Sequence, residues 1–334
     1  MTSSAIYGCA GFSLTEAERQ FFKEADPWGF IIFARNIDSP DQVRALTAEM
    51  RALVGWQAPI LIDQEGGRVA RLRPPHWREY PPARVFGEVF SRDEAQGQDA
   101  AKLGARLIAE ELMSVGVDVD CLPVLDVPVP GAHDVIGNRA YGIEPEEVSL
   151  LGQAAFDGLL EGGVLPVIKH IPGHGRAGVD SHEKLPVVDT PHEVLSDADF
   201  APFKAFSAAP LAMTAHVIYT AIDADNPATT SSRVIGEIIR GEIGFSGCLM
   251  SDDLSMQALE GSLGERARAS LDAGCDLILH CNGDMAEMEA VAAEAKRLAG
   301  DAAERAQRAL DARKKPDPLD VASAVGRFSA LTTV

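Results

Sequence analysis

Long apolar runs are missing from this sequence. The longest, WGFIIFA at 28–34, is far shorter than the roughly 20 residues that a membrane-spanning helix needs. The opening segment MTSSAIYGCAGFSL also lacks the basic residues and apolar stretch of a secretory signal peptide. We therefore expect no membrane anchor and no export, and we expect the protein to be cytoplasmic.

Basic clusters are missing as well. The 334 residues contain 30 Lys and Arg against 50 Asp and Glu, which gives a formal net charge of −20. Because a protein binds nucleic acid by neutralising its phosphates with basic side chains, we expect no nucleic-acid partner. The acidity favours solubility instead.

Cysteine is scarce, and no two cysteines form a C-x-x-C pair. Four of the five lie in apolar segments typical of strands. This pattern predicts reduced core residues of a cytosolic protein rather than disulfides. The five are Cys9, Cys121, Cys248, Cys275 and Cys281.

Short apolar segments alternate with amphipathic helical segments along the whole chain, a pattern typical of a parallel sheet covered by helices. Eight segments are predicted to be strands, and eight is the strand number of a (β/α)8 TIM barrel. We predict an α/β fold with one TIM-barrel catalytic domain over residues 1–334, in which about 301–334 form terminal helices packed on the barrel. The predicted strands are 5–11, 28–34, 59–65, 117–125, 164–170, 211–219, 247–253 and 275–281.

Local capping signals predict where helices begin and end. Ser39, Pro40 and Gln42 have the spacing of a capping box with proline in the first turn, and Gly55 follows the last apolar-periodic residue. Ser13 with Glu16 predicts the start of another helix.

Polar residues collect at the carboxyl ends of the predicted strands, the end at which barrels of this type build their active sites. One carboxylate there could simply cap the next helix. Several carboxylates, histidines and a lysine converging from most strands need partners or a ligand, which favours a functional site. They include Asp63, Gln64, Glu65, Arg68, Asp126, Lys169, His170, His216, Asp252, Asp253, His280 and Asn282.

The segment after the fifth predicted strand, KHIPGHGRAGVDSHEKLP, is the most unusual in the chain. Its three glycines allow backbone angles that other residues resist, so we expect a mobile loop over the barrel opening. Asp180 and His182 stand two residues apart, which lets their side chains share one side of an extended loop. An aspartate beside a histidine fixes the imidazole tautomer and suits the pair to proton transfer. A solvated loop with incidental polar residues is the alternative.

Five short motifs follow one another in the region from about residue 28 to 282. They are DQEGGRV (63–69), NRAYG (138–142), KHIPGHG (169–175), DSH (180–182) and SDDLSM (251–256). Together they resemble glycoside hydrolase family 3, specifically the single-domain β-N-acetylglucosaminidases (β-hexosaminidases) of bacterial cell-wall recycling.

The resemblance implies roles for three catalytic residues. Asp252 would be the nucleophile, His182 the acid and base, and Asp180 the residue that orients His182. Histidine suits both steps because its free pKa, near 6.5, allows it to be protonated in one and neutral in the next. Asp253 cannot face inward beside Asp252 from a regular strand, so we expect it to cap a helix or support a neighbour.

The resemblance also implies a set of sugar-binding residues: Asp63, Arg139, Lys169 and His170. Arg71 and His174 are further candidates. For Arg71 an ordinary surface ion pair is the alternative, and for His174 a role in bracing the loop. His216 is predicted either to line the pocket or to be a hydrogen-bonded core histidine.

The function implied by the resemblance is a retaining exo-β-N-acetylglucosaminidase. It would remove terminal non-reducing N-acetylglucosamine from peptidoglycan fragments (muropeptides) by double displacement, without metal or cofactor. We expect this small carbohydrate as the partner; the sequence does not fix the oligomeric state, and a monomer is compatible with it.

Other activities stay open. Within the family, a β-glycoside phosphorylase or a β-glucosidase is the alternative. Outside it, Lys169 could form the Schiff base of a lyase, or His170, His174, His182 and Asp180 could bind a metal. A sugar-binding barrel without catalysis is the non-enzymatic alternative.

Overall fold

The computed structural model describes residues 2–181 and 184–333. Eight parallel strands close into a barrel in which each strand pairs with its sequence neighbours and the last pairs with the first. All eight predicted strands are present, and the predicted TIM-barrel fold is confirmed. The strands are Ser3–Tyr7 (β1), Pro27–Ile32 (β2), Ile60–Ile62 (β3), Val119–Asp120 (β4), Leu165–Ile171 (β5), Leu211–Thr214 (β6), Cys248–Asp253 (β7) and Leu277–His280 (β8).

Helices cover the barrel. The α-helices are Glu16–Ala25 (α1), Pro40–Val54 (α2), Arg84–Phe90 (α3), Glu94–Ser114 (α4), Pro145–Glu161 (α5), His192–Val194 (α6), Ala201–Ala205 (α7), Leu263–Ala273 (α8), Met285–Glu294 (α9), Gly300–Asp311 (α10) and Val321–Thr332 (α11). Shorter 3₁₀ turns lie at Ala34–Asn36, Gly137–Arg139 and Ala228–Thr230, and π-helical segments at Leu195–Asp199 and Val234–Glu242. Val187–Val188 and Ile218–Tyr219 form a separate two-stranded parallel pair.

The start of α2 is confirmed and that of α1 is corrected. Ser39 accepts a hydrogen bond from the backbone N–H of Gln42, and the helix ends at Gly55, whose φ of +76° favours glycine. The N-cap of α1 is Thr15, not Ser13. Glu18 completes the capping box of α1 and also accepts from the N–H of Ala10, which ties this helix to the segment after β1.

Alternate strand residues fill the barrel or face the helices, as the two-residue period of a strand requires. Ile6, Leu61 and Leu279 belong to the inner cluster, and Tyr7 and Ile62 to the cluster beneath the helices. All five cysteines are buried free thiols, as predicted.

The carboxyl-terminal helices are held by charge and by aromatic packing. Asp276, directly before β8, forms ion pairs with Arg305 of α10 (Nη2 to Oδ1, 2.7 Å) and with Arg240 (Nη2 to Oδ2, 2.9 Å). Phe328 of α11 packs against the ring of Phe86. Among the helices of the described residues, none combines the length and the apolar character that crossing a membrane requires.

Candidate active site

A cavity of about 260 Å³ opens at the carboxyl ends of the barrel strands. This volume is slightly below the usual range for ligand sites, about 300–1,000 Å³, which favours a single sugar ring. The predicted nucleophile and all six predicted sugar-binding residues lie together on its wall. These residues are Asp63, Arg71, Arg139, Lys169, His170, His174 and Asp252.

Lys169 is the centre of a buried ion-pair network on this wall. Its Nζ lies 2.8 Å from Asp63 Oδ1 and 2.7 Å from Glu65 Oε1. Arg139 donates two hydrogen bonds to Glu65, at 2.9 and 2.8 Å. Arg71 donates to Asp63 at 3.1 Å, so it pairs inside the site rather than on the open surface. Three cations therefore hold two carboxylates in fixed positions.

Ion pairing outweighs burial throughout this network. Burial disfavours ionisation of Glu65, but Arg139 and Lys169 lower the pKa of Glu65 to about 2. The same balance holds the pKa of Asp63 well below its usual range. Burial alone would lower the pKa of Lys169, yet the two carboxylates hold it above its ordinary value. Lys169 is thus a protonated ammonium, which has no electron pair for attack on a carbonyl and argues against a Schiff-base lyase.

Glu65 should make stability depend on acid pH. Because its pKa is lowered on folding, its contribution is fully present above the unfolded pKa and is lost as pH falls through the folded pKa. We expect a contribution on the order of 3 kcal/mol at pH 7 that disappears between about pH 4.5 and pH 2. Urea unfolding at a series of pH values measures it. Glu65→Gln should remove this part of the acid dependence, and identical pH dependence in the two proteins would contradict the prediction.

Asp126, in the segment that follows β4, fixes the end of β5. Its Oδ2 lies 2.7 Å from His170 Nδ1, and its Oδ1 accepts from the backbone N–H groups of His170 at 3.2 Å and of His174 at 2.6 Å. Burial opposes ionisation here too, but His170 holds the pKa of Asp126 below its usual value. Because Nδ1 is engaged by Asp126, the orientation of the His170 ring is fixed.

The loop that follows β5 returns to the cavity at Ser181. Ser181 is buried, lines the same cavity as Asp252, and its Oγ lies 3.1 Å from His174 Nε2. Asp180 is partly buried immediately before it. His182, the predicted acid and base, lies outside the described residues.

Two carboxylates end β7, and they differ in their partners. Asp252 lines the cavity, and its Oδ1 accepts from the N–H of Asp253 at 2.8 Å. Asp253 also contributes to the wall, so the expectation that it could not face inward beside Asp252 is wrong: the pairing with β8 shifts register at this point, and β7 does not end as a regular strand. The carboxylate of Asp253 accepts from Ser255 and from the backbone N–H of Cys281. Asp253 therefore supports the next turn and the end of β8; it does not cap a helix, since the N-cap of α8 is Ser262.

His216 is a hydrogen-bonded core residue. It is fully buried, and its ring nitrogens lie 2.7 Å from Thr229 Oγ1 and 3.0 Å from the carbonyl oxygen of Asp253. It supports the backbone at the end of β7. Within residues 2–181 and 184–333, no three His, Cys, Asp or Glu side chains are grouped as metal ligands.

Three residues of the site were not assigned a role from the sequence. Glu65 and Asp126 had been noticed only as polar residues at strand ends, and Ser181 only as the spacer between Asp180 and His182. The only feature of the sequence that marked these three residues as members of the site was their position at a strand end or inside a motif. Their contacts join segments far apart in sequence, such as Glu65 to Arg139.

Comparison with known proteins gives a consistent set of matches. A family profile described as "Glycosyl hydrolase family 3 N terminal domain" matches residues 9–312. A protein named beta-hexosaminidase from Aromatoleum aromaticum is 40% identical over 82% of this chain and 77% of its own length. One of the same name from Alkalilimnicola ehrlichii is 42% identical over 83% of this chain and 80% of its own length.

Solved structures match the whole barrel. Native NagZ from Neisseria gonorrhoeae gives a TM-score of 0.89 at 32% identity, covering 100% of this chain and 98% of that one. The same protein in complex with N-trifluoroacetyl-D-glucosamine gives 0.87 at 31% identity, covering 99% and 98%.

Proposed function

Since the chain belongs to glycoside hydrolase family 3 and is a β-N-acetylhexosaminidase like its relatives, we propose that it removes terminal N-acetylglucosamine from muropeptides with retention of configuration. The observation that carries the proposed mechanism is that Ser181 and Asp252 line one cavity. Ser181 lies between Asp180 and His182 in the sequence, so its position on the cavity wall supports an acid/base role for the D-x-H segment.

The ion-pair network around Lys169 binds the terminal sugar. Asp63 and Lys169 offer an acceptor and a donor that are already fixed by each other, and His170 and Arg139 add donors on the same wall. Because these buried groups lose partners when a hydroxyl is absent or inverted, they select one sugar epimer.

Double displacement begins with Asp252. Its carboxylate attacks the anomeric carbon while His182 gives a proton to the leaving oxygen, so the glycosidic bond breaks as a bond to Asp252 forms. In the second step neutral His182 takes a proton from water, and the resulting oxygen nucleophile displaces Asp252 from the anomeric carbon. Two inversions restore the original configuration. Asp180 orients the imidazole in both steps.

The cavity volume supports removal of a single sugar, and the free thiols support a cytoplasmic location. A cavity suited to one ring fits removal of a single terminal sugar, and the N-trifluoroacetyl-D-glucosamine complex of the Neisseria relative supports an N-acetylated ring there. Five buried free cysteines support a reducing compartment, the cytoplasm.

A panel of aryl β-glycosides tests the function. We expect kcat/KM for the N-acetylglucosaminide to exceed that for the glucoside and the xyloside by at least about 100-fold, because a site built for one substituent rejects analogues that lack it. Each substrate is measured with and without phosphate. Comparable turnover of the glucoside, or a glycosyl phosphate as the main product, would replace this proposal with one of the other family activities.

A further inference from the structure

We propose that His174 and Ser181 form a hydrogen-bonded pair that positions the catalytic loop, and that Asp126 anchors this pair to the barrel. His174 and Ser181 act here as positioning residues for Asp180 and His182. The inference rests on the proposed function, because it concerns the residues on either side of Ser181.

The first part of the loop is held on several sides. Asp126, fully buried, accepts from the N–H of His174 at 2.6 Å. A β-carbon on Gly175 would lie 2.0 Å from the carbonyl oxygen of Val127, so the loop backbone rests directly on the segment after β4. Farther along, the carbonyl of Ala177 accepts from the N–H of His133 at 2.8 Å. The backbone of the loop at His174 is therefore held against the barrel.

At Ser181 the loop contacts His174 again. Its side chain is buried, and its Oγ lies 3.1 Å from His174 Nε2 across a gap of seven residues. Asp180 and His182 are the sequence neighbours of Ser181, so a hydrogen bond to this hydroxyl acts one residue away from each member of the proposed dyad. A serine with no role beyond spacing would not need a hydroxyl at this position.

The pair is compatible with neutral pH. Burial and the neighbouring His170 lower the pKa of His174 to about 4, so its ring is neutral above that range and offers one donor and one acceptor nitrogen. His174 Nδ1 is buried and has no hydrogen-bond partner among residues 2–181 and 184–333. Of the two ring nitrogens, Nε2 therefore makes the contact that orients this ring.

A purely structural role and a positioning role predict different kinetics. If the pair only stabilises the fold, its loss affects all substrates alike. If it positions the proton donor, its loss affects substrates that need a proton on the leaving oxygen and largely spares activated ones.

Ser181→Ala tests the contact from the loop side. We expect kcat/KM for a methyl β-N-acetylglucosaminide to fall about 10-fold, a factor typical of one lost hydrogen bond, against about twofold for the 2,4-dinitrophenyl glycoside. Ser181→Thr keeps a hydroxyl and should restore most of the difference. Equal losses on both substrates, or no loss on either, would overturn the proposal.

Two matched substitutions test the contact from the barrel side. The amide of His174→Gln reaches the position of Nε2, whereas the shorter amide of His174→Asn reaches only that of Nδ1. We expect H174Q to keep the ratio of the two rates near that of the wild type, and H174N to shift it as S181A does. Combining H174N with S181A should add no further shift, because both remove the same bond. Additive shifts would overturn the pairing.

These outcomes can be told apart from failure of the proposed function. A wild-type protein that does not hydrolyse aryl β-N-acetylglucosaminides contradicts that function itself. An active wild type, combined with an S181A variant whose rate ratio is unchanged, contradicts only the positioning role.

Discussion

Replacing Asp252 with glycine is expected to lower kcat/KM for an aryl β-N-acetylglucosaminide by a factor on the order of 10⁶, the size of effect seen when a covalent nucleophile is removed from a hydrolase. The carboxylate lines the cavity at the end of β7, and glycine offers no atom that can form the glycosyl-enzyme. Initial rates with a 4-nitrophenyl glycoside measure the loss.

Azide provides the chemical control for this variant. It is small enough to occupy the space left by the carboxylate, so it should attack the anomeric carbon of an activated glycoside and release the α-glycosyl azide. Asp253→Asn is the matched variant, since its carboxylate is occupied by Ser255 and Cys281; we expect its loss to be far smaller. Near wild-type hydrolysis by Asp252→Gly would contradict the assignment.

Replacing His182 with alanine is expected to lower kcat/KM about 10²- to 10⁴-fold for substrates with poor leaving groups, the range typical of general acid catalysis. Activated substrates such as the 2,4-dinitrophenyl glycoside should lose much less, because their leaving oxygen departs without a proton. A series of aryl glycosides with leaving groups of increasing pKa measures the difference.

The specificity constant is the right quantity for this comparison. It reports the steps up to release of the aglycone, so slow hydrolysis of the glycosyl-enzyme in the variant does not distort it. We expect a steeper dependence on leaving-group pKa in His182→Ala than in the wild type. Parallel dependences would count against His182 as the acid.

The barrel could be predicted because its signals are local. Each strand carries its own apolar run, and the polar residues at the strand ends mark the face of the site. Strand lengths were predicted less well. The segment predicted as one strand at 211–219 ends as a barrel strand at Thr214, and Ile218–Tyr219 pairs instead with Val187–Val188.

The site was predicted from motifs, but its network was not. Glu65 lies two residues after Asp63, yet its ion pairs reach Lys169 and Arg139, which come from distant parts of the chain. Asp126 likewise holds a histidine 44 residues away. Such pairings are fixed by closure of the barrel rather than by any local pattern, so one sequence does not reveal them.

Trapping the glycosyl-enzyme tests the central claim most directly. A 5-fluoro-N-acetylglucosaminyl fluoride forms the intermediate and slows its hydrolysis, and peptide mass spectrometry then locates the sugar. The proposed mechanism predicts one sugar on the peptide that contains Asp252, attached to its carboxylate. A label on another residue of an active enzyme would contradict it.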